Sequence, residues 1–384
     1  MVTYQKVGDL ISKAPIEKCG NKNFPVLSMT MREGIVFQND RFKKQIASID
    51  QSTYNVVRKN QLVVSFPIDE GVLAVQDITD AGIVSPAYKI WNVDERQVAP
   101  KYLELFLRSP HSIQYYKSKL RGTTARRRSI TDLDLLDMDI PRKTLEEQSR
   151  IIENISKSKN VIHLYQQQLE KFDELIKARF VEMFGDPVEN PIKWAEKPLL
   201  EIGSCKNGMN FHYEDCGVNI HCLGVGDFKD LSKIDDTTQL PIISLNEMPT
   251  EEYLLQNDDI VFVRSNGNKA LVGRSIAVYP NGVPTTFSGF CIRFRKSDSS
   301  VIVPYLLRVL KTDSIRKKMA GRGANIQNLN QQILSNLLIP VPPLDLQNQF
   351  ASFVEQLNKS KVAVQKALDE AQLLFDSLMQ EYFG

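Results

Sequence analysis

Two five-residue stretches decide how this chain is built: VEMFG at residues 181–185 and QEYFG at residues 380–384. They stand 199 residues apart, and at that offset residues 122–185 lie on residues 321–384 without a gap. Identical pairs include Gly122/Gly321, Ala125/Ala324, Ile140/Ile339, Pro141/Pro340, Leu145/Leu344, Gln148/Gln347, Gln166/Gln365, Leu169/Leu368, Glu182/Glu381, Phe184/Phe383 and Gly185/Gly384. Many other pairs exchange one apolar residue for another, a register that chance rarely keeps over so long a stretch. Weaker echoes lie upstream: YNVVRKNQLVVS (54–65) with EYLLQNDDIVFV (252–263), GIVSPAYKIW (82–91) with TTFSGFCIRF (285–294), and APKYLELFLRS (99–109) with VPYLLRVLKT (303–312). The chain reads as a duplication: globular unit, long helix, globular unit, long helix.

Each helix announces its start. In PRKTLEEQ, Thr144 stands at an N-cap with Glu147 three residues on, a capping-box arrangement, and Pro141 precedes it. The second copy has VPPLDLQ, with Pro342 and Pro343 in the same place and Asp345 in the first turn. Alternate steps of three and four from Gln148 meet Ile151, Ile155, Ser158, Ile162, Tyr165, Leu169, Phe172, Ile176, Arg179 and Met183. From Gln347 they meet Phe350, Val354, Leu357, Lys361, Val364, Leu368, Ala371, Phe375, Leu378 and Tyr382. A 3.5-residue period held this long marks a coiled coil. Equal lengths and equal register favour pairing of the two helices over two unrelated amphipathic helices on their own domains. About 36 residues at ~1.5 Å each give a rod of ~54 Å. The breaker Gly185–Pro187 ends the first helix, and a two-fold pairing predicts that the second runs antiparallel and closes the molecule. FG then marks the point where each helix reaches the opposite globular unit.

The expected fold class is α+β: two mixed α/β globular domains at 1–140 and 186–339, separated by two long antiparallel coiled-coil helices at 141–185 and 340–384. The length of 384 residues agrees with roughly two domains. Hydrophobic content of 42% and charged content of 24% are ordinary for a globular protein, and no apolar run approaches a bilayer span. The start lacks a secretory layout, so a cytoplasmic protein is expected. Five scattered cysteines argue against a disulfide framework. The stretch 205–222, with Cys205, His212, Cys216, His221 and Cys222, lacks the short Cys-x-x-Cys knuckles of structural zinc, and reduced thiols are the expectation.

Catalytic equipment is absent from the sequence: no Gly-rich phosphate loop, no Gly-x-Ser-x-Gly elbow and no methyltransferase box. Asp132, Asp134, Asp137 and Asp139 alternate with apolar residues and read as a solvated face rather than a metal site. Basic residues instead cluster at matching places. KSKLRGTTARRR holds Lys117, Lys119, Arg121, Arg126, Arg127 and Arg128 without an acid. RKKMAGRGANIQ holds Arg316, Lys317, Lys318, Arg322, Asn325 and Gln327. Lysine and arginine neutralise phosphates, whereas arginine, asparagine and glutamine also read base edges. Repetition in both units raises DNA binding above an ordinary solvated turn. A second candidate is the hairpin VRSNGNKALVGR (263–274), with Arg264, Asn266, Asn268, Lys269 and Arg274; its counterpart SFPIDEGVLAV (65–75) is acidic and short.

With its two-fold plan, its proline-then-LEEQSRI and LDLQNQF helix openings and its SPAY (85–88), GVGDF (224–228) and NDDIVFVRS blocks, the chain resembles the specificity subunit of a type I restriction–modification system. The resemblance covers essentially the whole chain. RKTLEEQ lacks the second proline, and LDLQNQ departs from the usual glutamate–glutamine pair. What the resemblance implies is a non-catalytic reader of double-stranded DNA, each globular domain serving one half of a bipartite, asymmetric site. The helices would set the spacer and dock two methyltransferase subunits, with two restriction/motor subunits completing the complex. No cofactor is expected on this chain; S-adenosylmethionine, ATP and Mg would serve the partners. A two-headed protein-interaction scaffold is the alternative, and a partner system with methylation and cleavage on one polypeptide fits equally.

Overall fold

The computed structural model describes residues 3–31, 33–41, 51–120, 128–211, 216–228, 233–320 and 328–384. By its internal contacts the chain divides into unit 1, Met1–Gln168 with Val364–Gly384, and unit 2, Leu169–Ala363. The division crosses both long helices, Leu145–Phe184 and Leu344–Phe383, so each unit owns part of each.

Both units are mixed helix and sheet, built on one strand order. In unit 1 the sheet runs Ile11–Lys13, Lys89–Val93, Leu62–Val64, Leu73–Val75. In unit 2 it runs Gly203–Asn207, Cys291–Lys296, Asp259–Val263, Ser275–Val278, with Lys233–Ile234 added in parallel at the edge. The four shared strands pair antiparallel in each, and Leu62 faces Trp91 as Ile260 faces Phe294. These are the echoes seen in the sequence.

The period of two along a strand sets up two cores in unit 2. Ile260 and Phe262 pack with Phe294, Leu306, Leu310 and Ile339, whereas Val261 and Val263 join Leu223, Ile276, Val278 and Phe287. Unit 1 repeats this, with Leu62 and Val64 in one cluster and Val63 in another. Beyond this plan the units diverge. Unit 2 carries a three-stranded sheet of Ile242–Leu245, Val218–Leu223 and Thr285–Phe287, whereas unit 1 has the pairs Leu27–Thr30 with Gly34–Phe37 and Asn55–Arg58 with Ala81–Val84.

The roots of the long helices are nearly identical. Tyr4–Lys6 pairs with Asp139–Pro141, and Glu196–Pro198 pairs with Leu338–Pro340, just before each helix. The capping box forms at the first: Thr144 N–H donates to Glu147 Oε2 at 2.7 Å and Glu147 N–H to Thr144 Oγ1 at 3.2 Å. That bond from the Thr144 amide holds the exposed Glu147 carboxyl below its usual range. Four residues into each helix lies a fully buried glutamine. Gln148 accepts from Ala99 N–H at 2.7 Å and donates to Gln97 O and Lys143 O at 3.0 and 2.9 Å. Gln347 accepts from Ile302 N–H at 3.0 Å and donates to Ser300 O and Pro342 O at 2.9 and 2.7 Å. Beside them Tyr102 donates to Pro141 O and Tyr305 to Pro340 O.

At the far ends, Phe184 meets Tyr305 at 4.9 Å and Phe383 meets Tyr102 at 5.4 Å between ring centres. The repeated FG therefore seats each helix end on the equivalent tyrosine. Gly185 follows with φ +76, and a Cβ there would stand 2.5 Å from Pro191 Cγ, so the turn requires glycine. Within unit 2, Asp173 meets Lys361, Arg179 meets Phe353 and Phe180 meets Phe350. Within unit 1, Asn154 meets Tyr382 and Lys159 meets Phe375. One number rises as the other falls, so the long helices pack antiparallel.

Ile151, Ile155 and Ile176 are buried along the first helix, as is Ser158, while Ile162, Tyr165, Leu169, Phe172 and Met183 are half-buried. On the second, Phe350 is buried and Val354, Leu357, Val364, Leu368, Phe375, Leu378 and Tyr382 are half-buried. The stepping omitted Phe180, Phe184, Met379 and Phe383, which are 0–5% exposed. They leave the helix–helix seam because they face the globular cores near the helix ends, where a wider apolar stripe is needed.

Candidate nucleic-acid interface

In unit 2 the buried strand Asp259–Val263 delivers the chain to the hairpin at 264–274. Arg264 N–H donates to Phe290 O at 2.7 Å and its guanidinium reaches Gly289 O at 3.3 Å, tying the hairpin to the neighbouring turn. Asn266 Oδ1 accepts from Asn268 N–H at 2.8 Å, and Asn268 Oδ1 from Ala270 N–H at 3.1 Å. These successive Asx turns shape the loop and occupy both side-chain oxygens. Gly273, at φ +77, donates to Val263 O and closes the hairpin. Lys269 is exposed, and Arg274 is half-buried.

The helix Asp313–Ala320 lies against this hairpin through Arg316, which donates to Val272 O at 3.0 Å and Ala270 O at 3.4 Å. Burial, then the nearby Arg274, lowers the Arg316 pKa. Arg316 thus braces the loop, while Lys317 and Lys318 are exposed on the last turn, where cations suit the helix dipole. Arg322, Asn325 and Gln327 lie outside the described residues.

Unit 1 brings the same elements together. Lys117 and Lys119 are exposed on the last turn of the helix Pro110–Lys119, with the Lys119 ammonium 5.8 Å from the Tyr115 ring centre. Arg121, Arg126 and Arg127 lie outside the described residues. Arg128 is committed internally: its guanidinium meets Asp69 at 2.6 Å and Glu70 at 2.5 Å. The acids of the short hairpin are thus engaged by Arg128.

Sequence reading passed over Phe290, which is 61% exposed beside Arg264 and offers a stacking face. Its signal was an aromatic after Ser288-Gly289, in the turn between the strands Thr285–Phe287 and Cys291–Lys296.

The aspartate series is ion-paired and structural. Asp132 binds Lys13 and Lys89, Asp134 caps its short helix through Thr131, and Asp137 and Asp139 flank Lys6. Among the described residues no three His, Cys, Asp or Glu side chains gather as a metal-binding group. Burial pushes the Cys205 and Cys222 thiols up to about 12, which disfavours the thiolate a metal needs. No described helix is long and apolar enough to cross a membrane.

The sequence comparison bears directly on the second hairpin and helix: residues 192–371 match the family described as Type I restriction modification DNA specificity domain. Over part of its length the chain is similar to specificity subunits of type I restriction enzymes. It is 26% identical over 309 residues to the StySPI specificity subunit of Salmonella potsdam, covering 74% of this chain and 64% of that relative. It is 27% identical over 199 residues to the putative MjaX specificity subunit of Methanocaldococcus jannaschii, covering 47% of this chain and 46% of that relative. The matches thus span less than two thirds of these relatives' length. In fold, it resembles a chain from a structure of type I R-M system assembly and conformational transition, with TM-score 0.62, 18% identity, and 99% and 97% coverage of the two chains. The type I S subunit of M. genitalium gives TM-score 0.54 at 17% identity, with 100% and 96% coverage.

Proposed function

We propose that this chain is the non-catalytic, sequence-reading subunit of a type I restriction–modification complex. Each unit reads one half of a bipartite, asymmetric DNA site through its hairpin and the end of the following helix. The observation that carries the reading is the duplicated scaffold with divergent hairpins: Arg264, Asn266, Asn268 and Lys269 stand in unit 2 where unit 1 has Asp69 and Glu70. A purely architectural repeat has no need of that divergence. With their oxygens occupied, Asn266 and Asn268 would read bases through amide N–H donors, a pattern suited to acceptors in the major groove.

The long helices would fix the number of unread base pairs between half-sites and dock two methyltransferase subunits, joined by two restriction/motor subunits. S-adenosylmethionine, ATP and Mg would then be used by those partners, in the cytoplasm. Titration of a labelled duplex with the full chain and its methyltransferase partner, at salt from ~50 to ~200 mM, tests the reading. Affinity should fall linearly on a log–log plot, with a slope of about −0.9 per neutralised phosphate. Indifference to DNA at low salt would favour the protein-interaction scaffold.

A further inference from the structure

One turn repeats in both units and differs at its tip. SPAY (85–88) and SGFC (288–291) are the aligned stretches. In unit 1 Ser85 Oγ accepts from Ala87 N–H at 3.3 Å, and Tyr88 N–H donates to Ser85 O at 3.1 Å. In unit 2 Ser288 Oγ accepts from Phe290 N–H at 3.3 Å, and Cys291 N–H donates to Ser288 O at 2.8 Å. The same pair of hydrogen bonds therefore displays Ala87 in one unit and Phe290 in the other, both exposed.

The backbone beneath Phe290 is firmly held. Gly289 N–H donates to Met209 O at 2.7 Å, and a Cβ on Gly289 would stand 2.1 Å from Asn210 Oδ1, so glycine is what lets Asn210 lie against the turn. Phe290 O accepts from Arg264 N–H, and Arg264 O in turn accepts from Leu329 N–H at 2.8 Å. Arg264 thus joins three segments: the displayed turn, the basic hairpin and the chain that follows the helix Asp313–Ala320. Single exposed apolar residues are ordinary on a protein surface. This one stands 61% exposed on a fixed turn bonded to the cationic elements of its unit. In unit 1 Phe66, which aligns with Arg264, instead packs edge-on against Tyr88 with ring centres 5.9 Å apart.

We propose that Phe290 is a specificity-determining contact of unit 2, its ring packing on the 5-methyl group of one thymine in the major groove. The inference rests on the proposed reading of DNA by the hairpin beside it. In the major groove base edges offer donors and acceptors to Arg264 and to the Asn266 and Asn268 amides. The one apolar group they expose there is the thymine methyl. A ring whose own carbonyl accepts from Arg264 N–H enters the groove together with those donors. Ala87 carries only a methyl at the corresponding place, so the two units read differently at this position.

Binding of the full chain with its methyltransferase partner to duplexes carrying its site, each thymine replaced in turn by deoxyuridine, tests this. Loss of one buried methyl should weaken wild-type binding about fourfold at one thymine of one half-site. Phe290→Ala should weaken binding to the unmodified duplex by at least that factor and remove the deoxyuridine effect. Tm and the salt slope should not change, because the ring is exposed and neutralises no phosphate. Phe290→Leu, apolar but smaller, should keep part of the discrimination. A wild type that binds with a full salt slope yet ignores every deoxyuridine overturns the methyl contact and leaves the DNA-reading role standing. So does a Phe290→Ala chain that keeps the thymine preference. A Phe290→Ala defect confined to methyltransferase docking gives the ring to that partner and likewise overturns it. Indifference of the wild type to DNA overturns the proposed function, and this inference falls with it.

Discussion

Unit 1 and unit 2 agree where they meet the long helices and part company where they face outward. Gln148 and Gln347 make matching sets of three buried hydrogen bonds, and Tyr102 and Tyr305 hold matching proline carbonyls. The hairpins share no such correspondence: one is a short acidic turn holding Arg128, the other a longer basic loop braced by Arg316. Buried polar groups must be satisfied as a set, which freezes the root. A solvated hairpin loses little by changing side chains, which leaves it to function.

The largest test of the shared root is its aromatic packing. Phe180 packs against Phe184, Tyr305 and Phe350, and the register places Met379 in the same position of unit 1. Phe180→Ala should cost about 3–5 kcal/mol in denaturant unfolding, whereas Phe180→Met should cost under about 1.5. Equal losses would break the equivalence of the two roots. Next come Gln148→Ala and Gln347→Ala, each stranding one amide and two carbonyls and each costing about 3 kcal/mol. Markedly unequal costs would show that only one glutamine is needed.

A smaller effect separates the units by pH. Lys311 sits near 8 in the folded chain against 10.5 when unfolded, so between those values the unfolded chain binds more protons. Its contribution to stability therefore rises from about pH 8 to 10.5, and its full penalty applies below 8. Lys311→Met should remove that slope, leaving whatever Lys159, also lowered by burial, contributes in unit 1. Stability against pH by chemical denaturation measures it.

Smallest per residue are the exposed cations. Lys269→Ala, Lys317→Ala and Lys318→Ala should each reduce the salt slope of DNA binding by about 1 with little change in Tm. Arg128→Ala should do the reverse, because it leaves the buried Asp69 carboxylate without its cation. A large slope change with Arg128→Ala and unchanged Tm would return that residue to the DNA surface.

The duplication, the helix starts and the seam were legible because they rest on local period and on residues compared with their own copies. Phe180 and Met379 were missed because a 3.5-residue template follows one partner only, while these helix ends face two. The roles of Arg128 and Arg316 were not legible: charge runs show where cations lie, not which carboxylates or carbonyls the fold brings to them.

The central claim is that one scaffold carries two different readers. Methylation-aware long-read sequencing of the source genome, with this gene intact and deleted, tests it most directly. The account predicts loss of a single bipartite adenine-methylation motif with two unlike half-sites. An unchanged methylome, with the partner methyltransferase expressed, would contradict it.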